Sequence, residues 1–331
     1  MMKSSRFVTG ALALCFAVPG MAADVPPPWA YGFQTPPPAT VAPAAAPAAV
    51  QEPDPTLYGV PGAKETFTRA QIGNRFGPAD WFPGDHPVMP DVVAHGKQPD
   101  VIACSLCHYP NGRGRPENAA VVGLPEAYFI AQLNHFRNDE RKTSDPRKAN
   151  TGLMATIAKG MTEDEMKAAA AYFGSMKFTP WIKVVETDTV PKTTTSVGMF
   201  LPIAGAEKEP IGQRILEVPE DVEAVERMRN PRVGFIAYVP PGSVKKGEAL
   251  VLTGGGKSPL PCGACHGPDL KGMLNIPAIA GRSPSYMVRQ MVDIKTGHRV
   301  GPGTDLMKPI VANLTDEDML AIAAYTSSLA P

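Results

Sequence analysis

The pattern Cys-x-x-Cys-His occurs twice in this chain, at Cys104–His108 and at Cys262–His266. On one helical turn, cysteines at positions i and i+3 present their sulfur atoms to the same face. They can then form thioethers with the two vinyl groups of a haem, while the histidine that follows ligates the iron from the proximal side. The sequence therefore predicts two covalently bound haem c groups.

Two other kinds of site use paired cysteines. A structural zinc site needs four ligands in one cluster, whereas these two pairs lie in separate parts of the chain. A thioredoxin-like dithiol does not need the histidine that follows each pair. Haem c attachment explains every residue of both motifs, so we favour it over either alternative.

The N-terminus has the pattern of a secretory signal. Lys3 and Arg6 precede an apolar run over 7–18, and small residues at 21–23 form a cleavage site, so residues 1–23 are predicted to be a signal peptide. The apolar run is too short for a comfortable membrane span, so we expect a periplasmic protein without firm membrane insertion. An uncleaved anchor is the alternative. The 32 basic and 32 acidic residues balance, and this gives no indication of nucleic-acid binding.

The part of the chain around each motif is duplicated. Four residues recur at the 158-residue offset that separates the motifs: Gly123, Tyr128, Gln132 and Arg141 recur as Gly281, Tyr286, Gln290 and Arg299. Further on, the offset falls to 153, and Met154, Thr162 and Tyr172 recur as Met307, Thr315 and Tyr325. Matches at constant offsets indicate an internal duplication. We call residues 57–178 the first repeat and residues 241–331 the second repeat.

The remaining segments match neither repeat. Residues 24–56 hold a proline- and alanine-rich linker, whose composition favours a disordered polyproline II spacer. Docking of Trp29, Tyr31 and Phe33 on a partner is the alternative. Residues 179–240 form an inter-domain connector, with candidate strands at 181–190, 215–218 and 233–239 and a candidate helix at 220–229.

Each iron needs a sixth ligand, and the duplication indicates a methionine. Met154 and Met307 occupy equivalent positions, eight residues before the threonine that caps the last helix of each repeat. Met161 is a rival in the first repeat, but it aligns with Leu314, and a ligand should not align with leucine. A thioether ligand gives a closed His/Met iron of raised potential.

The second nitrogen of each proximal histidine needs an acceptor that fixes the tautomer. The backbone carbonyl of Pro277 is predicted to serve His266, and that of Ala119 to serve His108. The residues predicted to hold the two haems are Cys104, Cys107, His108, Met154, Cys262, Cys265, His266 and Met307. His108, Met154, His266 and Met307 are the predicted iron ligands.

With both motifs, both methionines and the helices of Tyr172 and Tyr325, the chain resembles the diheme class I c-type cytochromes. The resemblance covers about two-thirds of the chain. It implies an all-α fold class, with two tandem class I cytochrome c domains. The connector and the leader lie outside the resemblance: from their own residues, we expect an irregular, partly β connector and a disordered proline-rich leader. It also implies electron transfer in the periplasm.

The predicted function is that of an electron carrier rather than an enzyme. Its expected partners are redox proteins: a donor dehydrogenase or respiratory complex, and an acceptor oxidase or cytochrome. One alternative is a diheme redox enzyme, peroxidase-like or thiosulfate-oxidising, with one labile axial ligand. Another is the cytochrome subunit of a larger dehydrogenase complex.

Overall fold

The computed structural model describes residues 26–34 and 54–331. The predicted signal peptide, residues 1–23, lies outside the described residues, as do residues 35–53 of the predicted linker. No helix in the described part of the chain is long and apolar enough to cross a membrane.

Within the described residues, the two repeats contain helices in corresponding places. The first repeat contains α1 (Arg69–Ile72), α2 (Asp91–Ala94), α3 (Cys104–His108), α4 (Glu126–Arg137), α5 (Ala149–Gly160) and α6 (Glu163–Gly174). The second repeat contains α7 (Ser243–Thr253), α8 (Gly263–His266), α9 (Pro284–Lys295), α10 (Thr304–Val311) and α11 (Asp316–Ser328). Thr162 and Thr315 are the N-caps of α6 and α11, and each threonine forms a capping box with the acidic residue three positions later.

The strands lie between the repeats. They are β1 (Ile182–Glu186), β2 (Thr189–Pro191), β3 (Thr193–Ser196), β4 (Met199–Pro202), β5 (Lys208–Pro210), β6 (Leu216–Pro219) and β7 (Phe235–Val239). The central strand β7 pairs parallel with β1 and antiparallel with β6, while β2 pairs with β5 and β3 with β4, both antiparallel. A one-turn π-helix covers Glu223–Arg227.

The predicted fold class is wrong. Of the described residues 38% are helical, but 13% lie in strands that form several sheets, so the chain is not an all-α protein with an irregular, partly β connector. Strands β1, β6 and β7 lie where the sequence indicated strands, whereas β3, β4 and β5 were not expected. The resemblance described only the helical repeats, and the sheets form from residues that it does not cover.

The three-stranded sheet packs on the second repeat. Leu216 and Val218 of β6 and Val239 of β7 belong to one buried cluster with Val288 of α9 and Met319 of α11. In a second cluster, Phe235 and Trp181 of the connector meet Val122 of the first repeat. The connector therefore shares a core with each repeat and fixes their relative position.

Six of the residues that reveal the duplication meet at the interface between the repeats. This arginine cluster consists of Tyr128, Gln132, Arg141, Tyr286, Gln290 and Arg299. Arg141 donates to Gln132 Oε1 (3.0 Å) within its own repeat. It also donates across the interface to Tyr286 Oη and Gln290 Oε1 (both 2.9 Å).

Arg299 makes the reciprocal set of hydrogen bonds. It donates to Gln290 Oε1 within its own repeat, and across the interface to Tyr128 Oη and Gln132 Oε1, all at 2.9 Å. The backbones of Arg141 and Arg299 also pair as an antiparallel bridge. A pseudo-two-fold axis thus relates the two halves of the arginine cluster, because each repeat supplies the same three residue types.

The predicted disorder of the leader is wrong for residues 26–34. Pro28–Tyr31 forms a 3-10 helix in which Trp29, Ala30 and Tyr31 are buried. Arg289 of α9 donates to the Ala30 carbonyl, and the Tyr31 hydroxyl donates to Asp293 Oδ1 (2.9 Å). Three aromatic residues in nine positions supplied enough apolar surface to bury this segment despite its prolines.

Tyr31→Phe is expected to lower the free energy of unfolding by about 1.5–3 kcal/mol, because it removes a buried hydrogen bond to a carboxylate. Asp293 Oδ1 accepts from Tyr31 Oη, from Ser144 N and from Ser144 Oγ. The variant therefore weakens a contact that joins the leader to both repeats. The measurement is denaturant unfolding. Tyr238→Phe, on a half-buried tyrosine of β7, is the control and should change little. Equal effects of the two variants would contradict the prediction.

Candidate haem-binding sites

The two Cys-x-x-Cys-His motifs have the same backbone arrangement. Each forms a single helical turn, α3 or α8, and the chain leaves it through a residue of positive φ, Tyr109 (62°) or Gly267 (84°). The loop that follows turns back towards the histidine within six residues. The N–H of Gly114 donates to the His108 carbonyl, and that of Gly272 donates to the His266 carbonyl, both at 2.8 Å. Both histidines are therefore held at the start of a tight loop.

The predicted acceptors of both histidines are confirmed. His108 Nδ1 lies 2.8 Å from the Ala119 carbonyl, and His266 Nδ1 lies 2.8 Å from the Pro277 carbonyl. Burial lowers the pKa of both imidazoles, which favours the neutral form. A neutral ring that donates through Nδ1 keeps the Nε2 lone pair for a metal ion.

No disulfide joins the four cysteines of the two motifs. Burial raises the pKa of the Cys104 thiol to about 12 and that of Cys262 to about 11. A redox-active dithiol has a cysteine of lowered pKa. These thiols have the opposite shift, so the structure does not support the dithiol alternative.

Each predicted methionine shares a core with one motif. Met154 on α5 is half-buried and packs on the same buried cluster as Cys104, while Met307 on α10 packs on the cluster that Cys262 contacts. Met161 is a core residue, 5% exposed, and its counterpart Leu314 is 3% exposed. Packing in the core is therefore enough to explain an apolar side chain at the position of Met161.

A group of buried charges that no sequence motif predicted lies beside the first motif. Arg115 and Glu117 form an ion pair in which both side chains are almost fully buried. Lys148, one residue before α5, is 6% exposed, and burial lowers its pKa to about 7. The available signal was the Arg-Pro-Glu run at 115–117, which takes the place of the Met-Leu-Asn at 273–275 in the second repeat.

Comparison with known proteins identifies the family. The cytochrome c family model matches residues 244–330. The chain is 40% identical over 237 residues to a thiosulfate dehydrogenase electron acceptor of Stutzerimonas stutzeri, an alignment that covers 71% of this chain and 82% of that protein. This chain belongs to the diheme class I c-type cytochromes.

Two further relatives of this diheme cytochrome align over a similar length. A thiosulfate dehydrogenase electron acceptor of Thiomonas intermedia is 25% identical over 70% of this chain and 80% of its own length. Cytochrome c4 of Pseudomonas aeruginosa is 23% identical over 70% of this chain and 86% of its own. The diheme cytochrome therefore holds two covalently bound haem c groups and acts in electron transfer.

The residues of both motifs fit this cofactor. Each motif offers two thiols on one helical turn and an imidazole whose Nδ1 is already engaged by a carbonyl. When bound, haem c supplies a one-electron iron couple. The protein's part is to fix the tautomer of each histidine and to keep each imidazole neutral by burial.

Replacing Cys104 or Cys262 by alanine is expected to weaken the retention of one haem and leave the other in place. The two cysteines pack on separate cores, so the loss of one thioether should not disturb the other site. A pyridine haemochrome assay on denatured protein should give two haems for the wild type. Extraction of haem from the wild type by acidified organic solvent, or loss of both haems in either variant, would contradict the expectation.

Proposed function

We propose that this diheme cytochrome carries electrons in the periplasm from a dehydrogenase or respiratory complex to a downstream oxidase or cytochrome, and that it performs no bond chemistry itself. The observation that carries the proposal is the matched pair of histidine anchors, His108 to Ala119 and His266 to Pro277. Two sites with the same histidine anchor suit two carrier centres, whereas a diheme enzyme needs one iron with an open position.

The proposed ligand sets are His108 with Met154 and His266 with Met307. Support comes from the position of each methionine on the core of its own motif. We further propose that residues 57–178 and 241–331 are the two cytochrome c domains, with residues 179–240 as their connector. The family model on 244–330 supports the second of these domains.

The names of two relatives suggest the donor. Both are called thiosulfate dehydrogenase electron acceptors, and one is 40% identical to this chain. We therefore propose thiosulfate dehydrogenase as the first donor to test. The predicted signal peptide at 1–23 supports export to the periplasm.

The test is anaerobic mixing of the oxidised holoprotein with thiosulfate in a stopped-flow spectrophotometer, with and without purified thiosulfate dehydrogenase. Reduction of both haems is expected only when the enzyme is present. Rapid reduction by thiosulfate alone would favour the enzyme alternative. No reduction in the presence of active enzyme would exclude this donor, and a quinol-oxidising complex would then be the next donor to test.

A further inference from the structure

The two repeats differ in how much of the surface around the haem motif is covered. In the first repeat, Ala103, Ser105 and Pro110 are buried. Their counterparts at the 158-residue offset, Pro261, Gly263 and Pro268, are exposed or half-exposed. Because equivalent positions are compared, the difference comes from what the rest of the chain places over each motif.

Two segments cover the first motif: one precedes it in the first repeat, and the other belongs to the connector. Arg75 accepts from Ala103 N (2.9 Å) through its carbonyl, and Arg229 of the connector donates to the Leu106 carbonyl. Asn111 donates to the Pro231 carbonyl of the connector (2.8 Å).

The helix face behind the first motif is covered as well. His86 lies against Tyr172, with ring centroids 6.2 Å apart, and Tyr172 is 5% exposed. Its counterpart in the second repeat, Tyr325, is half-exposed. A partner could therefore reach this face of the first motif only by displacing 75–86 and 229–231.

The surface around the second motif is open and apolar. A groove of about 550 Å³ runs beside α8, and its lining includes Val251, Leu252, Pro261, Ala264 and Leu329. In the loop that follows the motif, Met273 is 44% exposed and Leu274 is 88% exposed. The loop continues from Lys271, which lines the groove, and we call the groove and these two loop residues together the motif-2 surface.

The loop that follows each motif is unusual, because its charged residues are buried in the first repeat and its apolar residues are exposed in the second. In the first repeat, the positions of Met273 and Asn275 are taken by the buried ion pair of Arg115 and Glu117. In the second repeat, the same loop is exposed and carries apolar side chains. An apolar patch that packs on nothing in its own chain marks an interaction site, because exposed apolar area is costly in water.

The chemistry of this surface indicates the occupant. The exposed charged residues of the groove, Asp269 and Lys271, are of opposite sign, so the surface has little net charge with which to attract a charged partner. Its counterpart in the first repeat is covered by polypeptide, the segments 75–86 and 229–231, which shows that a protein surface can occupy this place. An uncharged, apolar protein face therefore fits the motif-2 surface.

We propose that redox partner proteins dock through an apolar face on the motif-2 surface, and that the first motif exchanges no electrons directly with partners. This proposal rests on the electron-carrier function proposed above. It assigns the point of exchange to the second repeat, where Pro261 and Pro268 beside the motif are exposed, and not to the first, where Ala103 and Pro110 are buried.

The test is voltammetry of the full-length holoprotein on gold coated with a methyl-terminated alkanethiol, which presents an apolar face. Leu274→Asp and Leu252→Asp should each lower the interfacial electron-transfer rate constant by about tenfold, because an aspartate is costly to bury in an apolar contact. Val88→Asp is the matched control, since Val88 is 95% exposed in the first repeat. Its rate constant should stay within about twofold of the wild type.

Equal rate constants for all variants, or an equal loss in Val88→Asp, would overturn the proposal. A potentiometric titration in solution, with soluble mediators and the same samples, distinguishes a failure of the docking proposal from a failure of the carrier function. Two one-electron couples in every variant leave the carrier function intact, whereas their absence in the wild type refutes it. Sedimentation velocity tests whether the motif-2 surface binds a second copy of this chain instead. A wild-type dimer that Leu274→Asp dissociates would show this and overturn the proposal.

Discussion

Met154→Ala and Met307→Ala are each expected to open one iron to carbon monoxide and to lower the reduction potential of that haem by on the order of 0.1 V. A thioether ligand favours ferrous iron, and its loss leaves a position for water or a small ligand. The two methionines pack on different cores, so each variant should change one haem and leave the other as in the wild type. The measurements are a potentiometric titration and carbon monoxide binding to the reduced protein.

Met161→Leu is the matched control. Leucine is the residue at the equivalent position of the second repeat, Leu314, and both side chains are core residues. This variant should keep both potentials and bind no carbon monoxide, with a stability cost below about 1.5 kcal/mol. Carbon monoxide binding by Met161→Leu would make Met161 the ligand. Carbon monoxide binding by the wild type would refute the closed His/Met sites and favour the enzyme alternative.

Arg141→Met and Arg299→Met are expected to destabilise the folded protein equally, by about 3 kcal/mol each, because each substitution removes a buried, hydrogen-bonded charge. Each arginine donates one bond within its own repeat and two across the interface. Pseudo-two-fold symmetry makes the two losses equivalent. The measurement is chemical unfolding of the holoprotein.

The double variant should be non-additive by at least about 0.5 kcal/mol, since Gln132 and Gln290 each accept from both arginines. Lys142→Met is the control, because Lys142 is exposed beside Arg141, and it should change stability by less than about 0.5 kcal/mol. A loss below about 1 kcal/mol in both arginine variants would show that the arginine cluster does not hold the repeats together. Strongly unequal losses would contradict its reciprocal character.

Local spacing accounts for what the sequence predicted correctly about the sites. A Cys-x-x-Cys-His motif needs one helical turn, and the chain forms that turn at α3 and α8. The carbonyl acceptors of His108 and His266 lie eleven residues after each histidine, close enough in sequence for a short loop to bring them back. The capping boxes of α6 and α11 depend on four consecutive residues.

The duplication itself was evident in the sequence, but its structural meaning was not. Tyr128, Gln132 and Arg141 were recognised as repeated residues, while their role in holding Tyr286, Gln290 and Arg299 across an interface depends on how the two repeats face each other. No periodicity or composition encodes a contact between residues more than 140 positions apart.

The sequence by itself determined the cofactor, the number of centres, the histidine anchors and the existence of two related halves, because each follows from residues close together in the chain or from a constant offset. Only the tertiary structure decided that Trp29 and Tyr31 of the proline-rich leader are buried, that the connector also contains β3, β4 and β5, and that one haem motif is covered while the other is open. These outcomes depend on which apolar surfaces meet during packing, and burial between distant segments overrides the local preference of proline-rich or irregular sequence.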